Sequence, residues 1–77
     1  MCLSEAPKGE ALTVVRVDAD VKTRRHLENL GIMSGAALEL SSFSDGNIIV
    51  RIRDCRIALD RLTAANITVR KSPMFAR

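Results

Sequence analysis

The 77-residue sequence has few aromatic side chains, with two Phe and neither Trp nor Tyr. Proteins that bind single-stranded nucleic acid usually stack bases on aromatic rings. Phe43 and Phe75 are too few to form such a platform. The chain also has one histidine, His26, and no spacing that would bring it together with a nucleophile and an acid. We therefore expect a protein that is not an enzyme and does not bind nucleic acid.

Cysteines are also few, with only Cys2 and Cys55. Small secreted domains usually carry four or more cysteines, because disulfides offset a small core. No apolar run approaches the roughly 20 residues that span a bilayer. Residues 1–10 have neither the basic nor the apolar segment of a secretory signal. These absences predict a cytoplasmic protein.

Metal-ligating residue types are present but scattered. Cys2, His26 and Cys55 are far apart in the sequence, and none belongs to a pair with ligand spacing such as C-x₂-C. We expect no metal centre and no cofactor. A small metal-binding carrier is the alternative that uses these three residues.

The charge balance is mildly basic, with 12 Lys and Arg, 9 Asp and Glu, and a net charge of +3. Four arginines cluster in the second half of the chain, with acidic residues between them: Arg51, Arg53, Arg56 and Arg61. Such a mixture is typical of a solvated face with weak ion pairs. Two alternatives are a surface for an acidic partner and a small barrel that binds nucleic acid.

Short β-branched segments dominate the pattern. After a leading loop at 3–10, alternation predicts five strands, at 11–18, 36–43, 48–53, 56–60 and 66–70. Asp20 can cap a helix over 21–30 that ends before Gly31, and 61–65 can form one helical turn. The fold class expected is mainly β: a small five-stranded antiparallel barrel with one short helix inserted after the first strand. A single domain over 1–70 and a flexible tail over 71–77 complete this prediction.

The segment after the helix, from Leu30 to Gly35, combines apolar residues with two glycines. Ile32 is expected in the core. For Met33 the pattern leaves core packing and partner contact equally open, because methionine also serves adaptable binding surfaces.

Several of these elements together resemble the FeoA family, the ferrous iron transport protein A group of small bacterial cytoplasmic proteins. The resemblance rests on Leu-x-x-Leu-Gly-Ile-x-x-Gly at 27–35, Arg-Ile-Ala-Leu at 56–59 and Ala-x-x-Ile-x-Val at 64–69. Leu3-Ser4 and Pro7-x-Gly9-Glu10 also fit. Ser34 stands where the family often has proline, and Asp54-Cys55 where it often has glycine.

The resemblance implies an SH3-like barrel and a regulatory role, without catalysis, in the uptake of a transition metal ion. The implied partner is FeoB, a membrane transporter for Fe²⁺ with a cytosolic GTP-binding domain. The protein would then reach the inner face of the membrane only through that partner. The expected partner-binding residues are Arg25, Leu30, Gly31 and Met33, and an open edge strand would also permit a homo-oligomer.

Overall fold

The computed structural model describes residues 1–72 and contains five strands and two helices. After a 3₁₀ turn at Leu3–Glu5, the elements follow in this order: β1 (Ala11–Val17), α1 (Val21–Asn29), β2 (Ala37–Ser44), β3 (Asn47–Ile52), β4 (Cys55–Asp60), α2 (Arg61–Ala65) and β5 (Ile67–Lys71). The mainly β fold class is confirmed, as is the short helix after the first strand. Most predicted boundaries differ from the observed ones by one residue. The predicted tail begins inside β5, and its last five residues, 73–77, lie outside the described part of the chain.

All five strands form one antiparallel sheet in the order β4-β3-β2-β1-β5. β2, β3 and β4 are joined by two hairpins, while β5 returns across the molecule to pair with β1. This pairing of the first and last strands brings residues near the two ends of the described chain together. The strands at the two ends of the order are β4 and β5.

Each hairpin turns through two residues. Between β2 and β3, Asp45 and Gly46 both have positive φ, at 47° and 82°, as a type I′ turn requires. Between β3 and β4, Ile52 pairs with Cys55, so the turn consists of Arg53 and Asp54. The prediction that Arg53 ends a strand and that Asp54-Cys55 makes the connection was wrong, because strand pairing continues to Cys55.

The core is one cluster of fifteen buried apolar residues drawn from every strand and from both helices. The alternate apolar residues of the strands supply most of it, among them Leu38, Leu40, Ile48 and Val50. Ile32 is fully buried, as expected. No polar or charged residue among those described is buried, so hydrophobic burial stabilises this core without internal polar pairs.

The leading segment contributes to the core, although it was predicted as a loop. Leu3 is fully buried and Ala6 nearly so, because the 3₁₀ turn packs against α2 and β5. The backbone of Cys2 forms an isolated antiparallel β-bridge with that of Thr68, and the Val69 N–H donates to the Met1 carbonyl at 2.7 Å. The N-terminal residues thereby cover the outer edge of β5.

Candidate functional site

The α1 helix begins and ends at residues that fix its direction. The Asp20 carboxylate accepts the Thr23 backbone N–H at 2.9 Å. Hydrogen bonding from the Thr23 side chain and then from that N–H lowers the pKa of Asp20 from its ordinary value. The carboxylate therefore stays ionised at the helix N-terminus, where negative charge is favourable.

The C-terminus of α1 is closed by a Schellman motif. The Ile32 N–H donates to the Leu27 carbonyl and the Gly31 N–H to the Glu28 carbonyl, both at 2.9 Å. Gly31 has φ +96°, a conformation that glycine adopts without strain. The motif turns the chain sharply, so that Ile32 enters the core beside Leu27.

The loop that follows is fixed to β1 by hydrogen bonds. The Gly35 N–H donates to the Val14 carbonyl at 2.8 Å, and the Ser34 hydroxyl donates to the Val15 carbonyl at 3.0 Å. Met33 projects from this loop with 43% of its surface exposed. An apolar side chain is thus presented to solvent on a well-supported backbone.

Met33 forms one wall of an open groove of about 910 Å³, which we call the α1–hairpin groove. Its other walls are the end of α1 and the turn between β3 and β4. Its lining is Glu28, Asn29, Leu30, Gly31, Met33, Ser34, Gly35, Ala36, Ala37, Ile52, Arg53 and Cys55. Most of these are apolar or small, so the groove fits an apolar segment, with Glu28 and Arg53 supplying charge at its margin.

Three of the four predicted partner-binding residues meet in this groove. Leu30 and Gly31 line it from the helix end and Met33 from the loop. Arg25 is exposed on α1 but does not line the groove. A Cβ added at Gly31 would lie 3.5 Å from Ile52 Cγ2, which shows how closely the helix end approaches β3.

Sequence reasoning missed the opposite wall of the groove. Ile52, Arg53 and Cys55 lie about twenty residues beyond the helix, and only the folded sheet brings them to it. The sequence offered Arg53 as part of an arginine cluster and Cys55 as a possible metal ligand, but no local signal joins either of them or Ile52 to the end of α1. A second depression of about 250 Å³ lies on the other side of Met33, between α1 and β1, so Met33 separates two concave surfaces.

The residues proposed for other chemistry do not come together. Within residues 1–72 no three His, Cys, Asp or Glu side chains are grouped as metal ligands would be. Cys2 lies beside β5, Cys55 lies at the β4 turn, and both are free thiols. His26 is exposed on α1.

The four arginines that cluster in the sequence lie in different surroundings in the structure. Arg51 donates to the Glu39 carboxylate at 2.6 Å, and Arg53 lines the α1–hairpin groove. Arg61 is on α2, near the turn between β2 and β3. Arg56 is exposed on β4.

In the described part of the chain, no helix has the length and apolar character needed to cross a membrane.

Comparison with known proteins gives the family. The FeoA domain model matches residues 1–71, while comparison with curated proteins returns no match. The FeoA protein of Chlorobium tepidum is 31% identical, with a TM-score of 0.87, and the match covers 99% of this chain and 74% of that one. An iron uptake regulatory protein, also FeoA, is 29% identical with a TM-score of 0.83, covering 94% and 96%.

A third structure supports the fold. It is FeoA of Stenotrophomonas maltophilia in complex with zinc, described as a procaryotic SH3 domain protein. It is 24% identical with a TM-score of 0.74, and the match covers 91% of this chain and 89% of that one. The expected SH3-like architecture is thereby confirmed. With the family model matching almost the whole chain, the protein belongs to the FeoA family and is associated with ferrous iron transport.

Proposed function

We propose that this protein is an accessory factor of a FeoB-like ferrous iron transporter and binds the transporter's cytoplasmic side through the α1–hairpin groove. It acts without catalysing a reaction of its own. In this proposal the protein is cytoplasmic and reaches the membrane only through its partner. The observation that carries the proposal is the exposed Met33 at the wall of a largely apolar groove.

The apolar lining supports a protein partner over a small polar ligand. Met33 is 43% exposed and Leu30 is half-buried, so both have apolar surface left to bury against another chain. Each buried CH₂ group contributes about 0.8 kcal/mol. Methionine adapts its shape to the surface that it meets, which suits a partner that changes conformation.

The margin of the groove supports a defined orientation of the partner. Glu28 lies at the helix side and Arg53 at the hairpin side, so opposite charges flank the apolar floor. Charges at the rim of an interface set the rate of encounter and the orientation more than the affinity. The bound segment is therefore expected to be apolar in its middle and charged at its ends.

The test is binding of the purified protein to FeoB, both whole in detergent and as the isolated GTP-binding domain. Binding is measured with a GTP analogue, with GDP and without nucleotide. Met33→Glu places a carboxylate against apolar surface and is expected to weaken binding at least about tenfold. Because Met33 is outside the core, the thermal midpoint should stay nearly unchanged.

Leu62→Glu is the matched control. Leu62 is 80% exposed on α2 and does not line the groove, so the same charge change there should leave binding intact. Equal affinity of the wild type and the folded Met33→Glu protein would contradict the groove as the binding surface. Failure of the wild type to bind FeoB in any nucleotide state would contradict the partner.

A further inference from the structure

The outer edge of β4 is an unpaired strand edge. β4 pairs with β3 on one side, and no other strand among residues 1–72 pairs with it. The Ile52–Cys55 pair closes a two-residue turn, so alternate residues of β4 direct their backbone groups toward β3, starting from Cys55. Those of Arg56 and Ala58 therefore face outward, away from β3, which is the one strand that pairs with β4 among residues 1–72, and no loop or turn of that part of the chain bonds to them.

The two outer edges of the sheet differ in whether other residues of the chain cover them. The edge of β5 is covered by Met1 and Cys2, whereas β4 has no such cover within residues 1–72. An exposed edge with free N–H and C=O groups is a template for another strand. Side chains at 56, 58 and 60 all point to the outer face and are exposed, so they are available to a neighbour.

The charges of β4 are unbalanced within the monomer. Arg56 lies directly opposite Arg51 in the β3–β4 register, and like charges in that position are destabilising. Arg51 is neutralised by Glu39 at 2.6 Å. No carboxylate of the described residues forms an ion pair with Arg56, so this guanidinium lacks a counter-charge within residues 1–72.

We propose that β4 pairs with β4 of a second copy of this chain, antiparallel and centred on Ala58. In this register Arg56 of each copy lies opposite Asp60 of the other, which supplies the missing counter-charge twice. Ile57 lies opposite Leu59. The two-fold axis passes between the two alanines.

The backbone directions fit the same register. The backbone N–H and C=O groups of Arg56 and Ala58 face outward, so the Ala58 pair falls at a hydrogen-bonded position, with the Arg56 groups at the positions that flank it. The Asp60 carbonyl lies at the start of α2, so Asp60 contributes to this register mainly through its charge. A register centred on Ile57 would need its backbone N–H and C=O groups to bond the partner, but these groups already face β3. A shift of the centre by two residues along β4 would remove the charge match. Only the arrangement centred on Ala58 satisfies both conditions.

The experiment measures the oligomeric state of the full 77-residue chain by sedimentation equilibrium up to about 1 mM, a range that includes weak pairing. The wild type is expected to dimerise. Ala58→Pro removes an outward N–H without removing a bond to β3, which edge strands tolerate, and is expected to give a folded monomer. Arg56→Glu places carboxylates opposite Asp60 and should raise the dimer dissociation constant about tenfold or more.

Arg70→Glu is the control, because it makes the same charge change at a residue of β5 whose side chain is exposed. It should leave dimerisation unchanged. Mixing the Arg56→Glu protein with an Asp60→Lys protein should restore pairing, since each variant then carries the charge that the other needs. Asp60 also caps α2 by accepting the Thr63 backbone N–H. If loss of this cap unfolds the Asp60→Lys protein, the Ala58→Pro and Arg70→Glu results still decide the proposal.

Three results would overturn it. One is a wild type that stays monomeric over the whole range, and another is a dimer that persists in folded Ala58→Pro. The third is a monomer that dimerises only after residues 73–77 are removed, since this would assign the edge to that segment. Amide exchange at Arg56 and Ala58 that slows as protein concentration rises would support the proposed register.

Discussion

Arg53 occupies a backbone conformation that arginine rarely adopts. Its φ is 56°, and the only other described residue apart from glycine with positive φ is Asp45. The left-handed region costs an ordinary L-residue about 1–2 kcal/mol, whereas Asp and Asn enter it more readily. Strained residues cluster at binding sites and other functional sites, and Arg53 lies at the rim of the α1–hairpin groove.

Arg53→Gly is therefore expected to stabilise the protein. Relief of the strain, partly offset by the greater freedom of glycine in the unfolded chain, should raise the free energy of unfolding by up to about 1 kcal/mol. Urea denaturation measures this change. Asp45→Gly is the control and should gain less, because aspartate already tolerates its φ. Equal gains at both positions would contradict strain at Arg53.

Local sequence signals predicted some residues and not others. Asp20 and Gly31 were identified as helix ends because capping depends on the few residues around them. The position of Arg53 in its turn could not be predicted the same way. It depends on the pairing of Ile52 with Cys55, and the adjacent Asp54 is an equally good turn residue.

At the scale of elements, both helices begin with an aspartate N-cap. Asp60 caps α2 by accepting the Thr63 backbone N–H at 3.0 Å, as Asp20 does for α1. Hydrogen bonding from the Thr63 side chain and then from that N–H lowers the pKa of Asp60. Both carboxylates thus bind a proton less readily in the folded chain than in the unfolded one.

Stability should therefore fall in acid through these two caps. Since the folded-state pKa values lie below the ordinary value of 3.8, the caps contribute fully above that pH and are lost as the pH falls through the folded values. Thermal midpoints between about pH 5 and pH 2.5 measure this loss. The double variant Asp20→Asn, Asp60→Asn caps without titrating and should show a shallower dependence. An unchanged dependence would exclude a role of the caps in acid stability.

The strands show where alternation fails as a predictor. β3 and β5 follow it closely, because one face of each packs on the core. β2 follows it as far as Leu40, where its register with β3 shifts. In β1 the register with β5 shifts between Val14 and Arg16, and Val15 is 43% exposed. A bulge of this kind depends on the partner strand as well as on local sequence, so a single-strand pattern does not reveal it.

For the molecule as a whole, the first six residues are part of the fold. Leu3 is fully buried among residues that come from the end of the sequence. Leu3→Ala should lower the free energy of unfolding by about 2–4 kcal/mol, through lost burial and the cavity that remains. Chemical denaturation measures it. Leu62→Ala removes the same atoms from an 80% exposed site and should change stability little. Similar losses at the two sites would mean that the N-terminal turn does not pack as described.

The architecture was more predictable than the groove. Short alternating segments and an Asp-Gly turn determine a β meander locally, and the Leu-Gly-Ile-x-x-Gly element resembles one family. The groove required the end of α1 and the β3–β4 turn to meet, which is a property of the folded sheet. Met33 could be named from the sequence, but Ile52 and Cys55 could not.

Pairing of the first residues with the last strand also determines how the chain could be reconnected. The Met1 ammonium donates to the Val69 carbonyl at 3.1 Å, and the Ser72 N–H donates to the Ala11 carbonyl at 3.0 Å. A short linker from Ser72 to Met1 could therefore join these two positions, and new termini could open at Asp45–Gly46 in the exposed turn. The resulting circular permutant would keep every strand neighbour and would place both of its ends far from the α1–hairpin groove.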